Sequence, residues 1–257
     1  MLLAVVVGNT STKWGIFDGE KLCVTWRWAT SLHRMADEYA SMLLPLLQYN
    51  QINPGDIKDV VLASVVPPLN PHMVRLAEQY FNASPLMIEA GVKTGLKLRV
   101  DNPKEVGADR IVNSTAVRYL YGSPAIVVDM GTAIVFDCVS KEGDYIGGAI
   151  APGINIAAEA LFIRTAKLPR IELTHPKTAI GTNTVAAMRS GLVYGYMGLI
   201  EGIVTRIQKE IGGKAKVVAT GGDAELIAKE TSIIDVVNPN LALQGLRIIY
   251  NMNRAGA

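Results

Sequence analysis

The chain has 257 residues, of which 49% are hydrophobic and 19% are charged, and its formal net charge is +2. This composition is typical of a well-packed globular protein and excludes a disordered chain, while so small a net charge argues against a nucleic-acid partner. The length is sufficient for two compact domains or one large one.

The N-terminal stretch MLLAVVVG is apolar, but it has no basic leader and ends at Gly8, so it is too short for a signal peptide or a membrane span. No other stretch reaches 18 uncharged apolar residues. We therefore expect a soluble, cytoplasmic protein with no membrane partner. Cys23 and Cys138 lie in separate apolar runs and match no metal spacing, which favours buried free thiols in a reducing compartment.

The first half of the chain opens with a predicted meander of three strands. Residues 2–28 contain a β-branched run, a glycine-containing turn, a second strand, a turn at Asp18-Gly19 and a third strand. Apolar residues then recur at helical spacing over 31–50, which predicts a helix with an interruption at Pro45. The rest of this half is predicted to contain strands over 59–66 and 85–90 and a helix over 107–122.

The second half repeats this pattern. Residues 125–150 again predict three strands, with the second turn at Lys141-Glu142-Gly143. Both meanders begin with a continuous β-branched run, as expected for a strand that is buried on both faces. The elements predicted after the second meander are helices over 151–168 and about 183–209 and strands over 214–222 and 232–237.

The similarity of the halves predicts a duplicated α/β fold. Each half has a βββαβα-type order, which is expected to form a mixed sheet flanked by helices, with a cleft between the halves. We place the boundary near Gly122-Ser123-Pro124, so the predicted domains are residues 1–121 and 122–257. The alternative is an accidental similarity between two hairpins.

Aligning the halves places Asp129 opposite Val6. The first copy therefore lacks a carboxylate that the second copy has at the end of its first strand. The loops that follow contain Gly8-Asn9-Thr10 in the first half and Gly131-Thr132 in the second. Glycines allow close backbone approach, and Asn and Thr add hydrogen-bond donors, so both loops are candidate contacts for the phosphates of a nucleotide. The alternative is two ordinary β-turns.

Two further segments are candidates for nucleotide contacts. Lys13 follows the first loop, where its ammonium group can offset phosphate charge or can simply extend to solvent from the hairpin. Gly221-Gly222 removes side chains where a flat adenine can lie on the backbone. The alternative there is a short connection with Asp223 as the N-cap of a helix, and both interpretations can hold together.

Asp109 is the candidate proton acceptor. It lies at a predicted junction between a loop and a helix, where an N-cap role alone would explain it. Arg110 follows it and Gly107 precedes it, so a carboxylate that accepts a hydroxyl proton stands beside a guanidinium that holds an anionic group. Thr184 is a weaker candidate, as an N-cap or as a hydroxyl donor to a ligand.

Together, GNTSTKWG, EVGADRIVN, DMGTA, GGAIAPG, GTNT and ATGGDA resemble the type III pantothenate kinases. These belong to the superfamily of acetate and sugar kinases, heat-shock ATPases and actin. The resemblance covers the chain from its first strand to its last helix. It implies a duplicated ribonuclease-H-like (actin-like ATPase) fold, a homodimer, and ATP-dependent phosphorylation of pantothenate, the first step of coenzyme A synthesis.

The resemblance also implies roles for individual residues. Gly107, Ala108, Asp109 and Arg110 would hold pantothenate, with Asp109 as proton acceptor, and Thr184 would contact the same substrate. Asp129 would bind a monovalent cation, potassium or ammonium. The residues expected to contact ATP, which binds with magnesium, are Val6, Val7, Gly8, Asn9, Thr10, Ser11, Thr12, Lys13 and Thr132, together with Gly221 and Gly222.

The chain departs from the family pattern at Val6, where the family normally has an Asp that helps to organise magnesium. Phosphoryl transfer depends mainly on positioning and on neutralising charge, so this change is expected to cost transition-state stabilisation. The loss of activity need not be total, because ATP can bring its own hydrated magnesium. An active pantothenate kinase is therefore the first hypothesis. The second is an impaired homologue that binds ligands as an accessory or regulatory protein. The third is a kinase for another small hydroxylated acid.

Overall fold

The computed structural model describes residues 1–229 and 231–254, and within them the chain forms ten strands and seven α-helices. The strands are β1 (Leu2–Val7), β2 (Ser11–Asp18), β3 (Lys21–Ala29), β4 (Asp59–Ser64), β5 (Leu86–Met87), β6 (Ala125–Met130), β7 (Ala133–Val139), β8 (Tyr145–Pro152), β9 (Lys216–Gly221) and β10 (Val236–Val237). The helices are α1 (Ala36–Tyr49), α2 (Asn70–Phe81), α3 (Ala108–Tyr121), α4 (Ile154–Arg164), α5 (Thr184–Glu210), α6 (Ala224–Ala228) and α7 (Leu241–Arg254).

The strands form two five-stranded sheets with the same topology. The order is β3-β2-β1-β4-β5 in the first sheet and β8-β7-β6-β9-β10 in the second. In each, the first two strands of the meander are antiparallel, and the first strand pairs in parallel with the next strand along the chain. The predicted duplication is therefore confirmed.

The duplication extends to burial along the strands. In both β1 and β6, five of the six residues are buried, and the fifth residue of the strand is the one that is partly exposed. These residues are Val6 and Asp129, which confirms that they occupy equivalent places. The loop that follows has one residue more in the first half, because Val7 pairs with Thr12 whereas Met130 pairs with Ile134.

The contacts between Cα atoms divide the chain into two units. Among the described residues, the first unit contains 1–96, 102–116 and 242–254, so α7 belongs with the first sheet. The second unit contains residues 97–101, 117–229 and 231–241. The domain boundary after Tyr121 stays a prediction.

Each unit has its own hydrophobic core. In the first unit, side chains alternate along β1, so that Leu3 and Val5 face one cluster with α1 and α2 while Leu2 and Ala4 face a second cluster with α7. A strand covered on both faces must be apolar throughout, which explains the run LLAVVV. In the second unit, β6 and β9 pack against α5 through residues such as Val128.

Two expectations about single residues are wrong. Helix α1 continues through Pro45, which is exposed, and the buried Leu43 and Leu47 on the opposite face hold the helix together. The carbonyl group that loses its partner at Pro45 lies near solvent, where water can bind it. Cys23 is an exposed thiol on the edge strand β3, whereas Cys138 is buried as predicted, and both are free.

None of the helices in the described residues is both long enough and apolar enough to cross a membrane.

Candidate functional site

In the first unit, the first loop lies between β1 and β2. The Gly8 N–H donates to the carbonyl of Ser11 (3.1 Å), and the Thr30 hydroxyl donates to the Gly8 carbonyl (2.7 Å). Asn9 and Thr10 are exposed at the tip. Val7 and Thr12 are buried below the tip, and Ser11, Lys13 and Val6 are partly exposed around it. The loop is therefore a braced turn that presents exposed polar groups.

The start of α3 lies on the same side of the first unit. The Val65 N–H donates to the carbonyl of Val7 (3.0 Å), which continues the β1–β4 pairing beyond the strands. A side chain at Gly107 would begin 3.5 Å from the Val65 Cγ1 atom, and Val6 and Ala108 pack against the same hydrophobic cluster. The structure thus brings the first loop and the segment 107–110 together, although they are about 100 residues apart in sequence.

Asp109 is the second residue of α3, so it is not the N-cap residue that its position suggested. Its Oδ1 atom accepts a hydrogen bond from the backbone N–H of Arg110 (2.8 Å). Burial raises the pKa of the Asp109 carboxyl, and the backbone N–H and the charge of Arg110 offset part of that rise. A carboxylate whose pKa is raised toward neutrality is a better proton acceptor than an ordinary one.

In the second unit, the loop after β6 is built by close backbone contacts. The Gly153 N–H donates to the carbonyl of Thr132 (3.0 Å), and the Gly131 N–H donates to the carbonyl of Ala133 (3.0 Å). A Cβ atom at Gly153 would lie 2.4 Å from the carbonyl oxygens of Gly131 and Thr132, so only glycine fits. Helix α4 begins directly after Gly153 without a side-chain cap, which leaves its first N–H groups available to an anion beside the loop.

The glycine pair at the end of β9 lies beside the same loop. Gly221 has a φ of +99°, and a Cβ atom there would lie 2.3 Å from the Met130 carbonyl oxygen. Gly222 is exposed. Asp223 precedes α6 but does not cap it; instead its Oδ2 atom accepts a hydrogen bond from Asn155 Nδ2 (2.9 Å). Residues near Asp129, the start of α4 and the Gly221-Gly222 pair therefore form one group.

Sequence reasoning missed the role of Gly153 and Asn155 in this group. The motif GGAIAPG contributed to the family resemblance, but neither the carbonyl contacts of Gly153 nor the partner of Asn155 can be inferred from the spacing of its residues. A glycine near the start of the helix predicted over 151–168 was the available signal.

Thr184 lies at the edge of a cavity in the second unit. The cavity has a volume of about 630 Å³ and lies beside α4 and the first turns of α5, with Leu161, Leu168 and Met188 among its lining residues. Asn183, not Thr184, is the N-cap of α5, since its side chain accepts a hydrogen bond from the N–H of Ala186 (2.9 Å). The exposed Thr184 hydroxyl is thus not required for capping.

Carboxylates that could hold a divalent ion are sparse. Over residues 1–229 and 231–254, no group of three or more His, Cys, Asp or Glu side chains is placed to bind a metal ion. Val6 contributes no oxygen ligand at the first loop. A magnesium ion at this loop would therefore take most of its oxygen ligands from water or from a bound phosphate group.

A comparison with protein families agrees with this arrangement. The family described as type III pantothenate kinase matches residues 2–206 of the chain.

Curated relatives and solved structures extend the comparison. The chain is 56% identical to a type III pantothenate kinase of Dehalococcoides mccartyi, over 98% of this chain and 96% of that protein. It is 54% identical to a type III pantothenate kinase of Moorella thermoacetica, over 98% of this chain and 100% of that protein.

A solved structure is similar in fold. It is the activator of 2-hydroxyisocaproyl-CoA dehydratase from Clostridium difficile, solved with bound ADPNP. The TM-score is 0.54 at 14% identity, over 99% of this chain and 95% of that one. The chain therefore shares its duplicated α/β fold with that protein.

Proposed function

Because the chain belongs to the type III pantothenate kinase family, we propose that it transfers the terminal phosphoryl group of ATP to the primary hydroxyl of pantothenate. The products are ADP and phosphopantothenate, and the reaction is the first step of coenzyme A synthesis. The observation that carries this proposal is the match to relatives of that name over nearly the whole chain. The impaired homologue suggested by Val6 gains no support from the same comparisons.

The nucleotide is bound by backbone groups of two loops. Residues 6–13 contact the phosphates in the first unit, and Thr132 contacts ATP in the second. The N-terminus of α4, next to Thr132, adds N–H groups that favour a negative charge. Gly221 and Gly222 receive the adenosine, since Gly222 is exposed and carries no side chain to obstruct a flat base.

The acceptor substrate is held by the segment 107–110, with Thr184 as a further contact. Asp109 accepts the proton of the primary hydroxyl as that oxygen attacks the terminal phosphorus, and Arg110 binds the substrate's carboxylate. The raised pKa of Asp109 and its place beside the first loop support this assignment, because a proton acceptor must lie next to the phosphoryl donor.

Two kinds of cation accompany the reaction. Magnesium comes with ATP and neutralises charge on the phosphates. Asp129 binds the monovalent cation, potassium or ammonium. A partly exposed carboxylate at the end of β6, next to a loop rich in backbone carbonyls, supplies the oxygen ligands that such an ion requires.

The active form is a homodimer in the cytoplasm. The second unit exposes large apolar side chains on two neighbouring elements in sequence, the edge strand β8 and helix α4. Ile150 is 65% exposed and Ile163 is 63% exposed, and Ile156 and Phe162 add to this surface. Exposed apolar surface of this kind is typical of contacts between subunits.

The test measures ADP release and the mass of the product with purified protein, magnesium-ATP and pantothenate. Turnover that requires pantothenate and is higher with potassium or ammonium than with sodium supports the proposal. Asp129→Asn, which keeps the size of the side chain, should remove the difference between the cations.

The proposal fails if folded protein that binds ATP does not phosphorylate pantothenate. A panel of other small hydroxylated acids then decides whether the chain is a kinase for a different acceptor.

A further inference from the structure

One tyrosine of α5 reaches the junction between β8 and α4. The ring of Tyr196 packs against the hydrophobic cluster of the second unit. Its hydroxyl oxygen lies 3.0 Å from the carbonyl oxygen of Pro152, the last residue of β8, and 3.2 Å from that of Gly153, which directly precedes α4. A phenol hydroxyl carries one proton, so Tyr196 donates a hydrogen bond that these two carbonyl groups share.

The peptide group between Pro152 and Gly153 is held at both ends. The C=O and N–H bonds of a trans peptide group point in opposite directions. Here the C=O end accepts the hydrogen bond from Tyr196, and the N–H end donates to the carbonyl of Thr132 (3.0 Å) in the loop after β6. Two hydrogen bonds in series therefore connect α5 to that loop.

The next carbonyl group connects Tyr196 to the start of α4. The carbonyl of Gly153 accepts the N–H of Ala157 (3.1 Å), which is the first hydrogen bond of the helix, and it also faces the Tyr196 hydroxyl. The direction of the first turn of α4 is thus set from the same side chain. The N–H groups of this turn and Thr132 are the groups that we propose for the phosphates of ATP.

Helix α5 gives Tyr196 a firm support. Leu192, Val193 and Ile200 lie three or four positions away on the same helix face, and all three are buried in the cluster that the tyrosine ring contacts. Burial also raises the pKa of the Tyr196 hydroxyl, so it stays protonated and able to donate at neutral pH. The hydroxyl is therefore a fixed donor, and the junction of β8 with α4 is positioned against it.

We infer that Tyr196 is a positioning residue for ATP, which holds Thr132 and the first turn of α4 in the arrangement that binds the phosphates. This inference rests on the proposed binding of ATP to that loop. It adds a residue of α5 that acts through the peptide group between Pro152 and Gly153 and does not itself contact the nucleotide.

The test compares two variants of the full chain that each lose one phenol hydroxyl. Tyr196→Phe keeps the packed ring, and it should raise KM for ATP about 3- to 10-fold, the range for one neutral hydrogen bond, with little change in kcat. Tyr194→Phe is the matched control, since the Tyr194 hydroxyl lies on the same helix and donates to the carbonyl of Pro176 (3.3 Å) between α4 and α5. Its KM for ATP should stay unchanged.

A double-mutant cycle separates positioning from a general loss of stability. Thr132→Ala removes the side chain that we propose to contact ATP. If Tyr196 acts through this loop, Tyr196→Phe should raise the Kd of a non-hydrolysable ATP analogue by a smaller factor in the Thr132→Ala background than in the unchanged chain. Equal factors in the two backgrounds would overturn the inference.

Calorimetry with the same analogue separates this inference from the proposed function. If the chain does not phosphorylate pantothenate but Tyr196→Phe still weakens analogue binding relative to Tyr194→Phe, the acceptor is wrong and the role of Tyr196 holds. If turnover is normal and the two variants bind the analogue equally well, the proposed function holds and the role of Tyr196 is refuted.

Discussion

The two units share one topology but supply different kinds of chemistry. The first unit offers charged side chains around its loop, with Lys13 after it and Asp109 and Arg110 at the start of α3. The second unit offers mainly backbone N–H and carbonyl groups around its loop, because Gly153 and Gly221 lie so close to neighbouring carbonyl groups that no side chain fits. Duplication of a sheet therefore fixes where the loops occur, and a few residues in each copy decide what the loops do.

The largest effect is expected at Asp109. Asp109→Asn should lower kcat by about 10²- to 10⁴-fold, the usual contribution of a general base. Its stability at neutral pH should be equal to or higher than that of the unchanged chain. Because burial raises the pKa of Asp109, the folded state binds a proton at this carboxyl more tightly than the unfolded state does. The stability gained from the protonated carboxyl is therefore lost as the pH rises through the folded-state pKa, whereas Asn stays uncharged at every pH.

Thermal unfolding and steady-state kinetics on the same samples check this prediction. A variant that loses activity only because it unfolds at neutral pH would show that Asp109 is structural.

The next effect is the acid limb of the pH–rate profile. Because burial raises the pKa of Asp109 from its ordinary value, kcat/KM should fall about tenfold per pH unit as the pH falls below this raised pKa. The residual activity of Asp109→Asn should lack this limb. A limb that persists unchanged in that variant would assign it to another group.

Substitutions in the second unit should act on folding. Gly153→Ala and Gly221→Ala each force a Cβ atom to within 2.4 Å of a carbonyl oxygen, so each should cost about 1–3 kcal/mol of unfolding free energy. Gly131→Ala is the matched control, because its added Cβ would have no neighbour nearer than 3.8 Å. Denaturant titration of the three variants measures the difference, and equal losses would contradict the steric explanation.

The smallest effect is expected at Asn155. Asn155→Ala removes the hydrogen bond to Asp223 that links the start of α4 to the segment after Gly222, and should cost about 0.5–1.5 kcal/mol. A larger rise in KM for ATP than in the control Asn251→Ala, a substitution of an exposed asparagine of α7, would show that the link shapes the nucleotide site as well. Unchanged stability would show that the bond contributes nothing in solution.

Much of this architecture follows from patterns that a sequence displays directly. Strands buried on both faces must be continuously apolar, so the runs before Gly8 and Gly131 revealed the duplication. The motif around Asp109 indicated a candidate site because this carboxylate is followed by the guanidinium of Arg110 and comes shortly after Gly107. The glycine-lined group of the second unit was only partly visible, since the value of Gly153 depends on carbonyl groups about 20 residues away in sequence.

Other features required the coordinates for physical reasons. Pro45 does not interrupt α1, because the burial of Leu43 and Leu47 outweighs one lost hydrogen bond at an exposed turn. The pairing of Val6 with Lys13 follows from the length of a turn, and sequence alignment does not fix the register across a turn.

The position of α7 has a consequence for how the protein is made. Leu243 and Leu246 of this last helix lie in the core of the first unit, against residues of β1 and β4. A ribosome therefore delivers every residue of the second unit before it delivers the element that completes the first. The first unit is therefore completed only after the second unit has been synthesised, and a stop codon placed at Leu241 would remove α7 from the first unit.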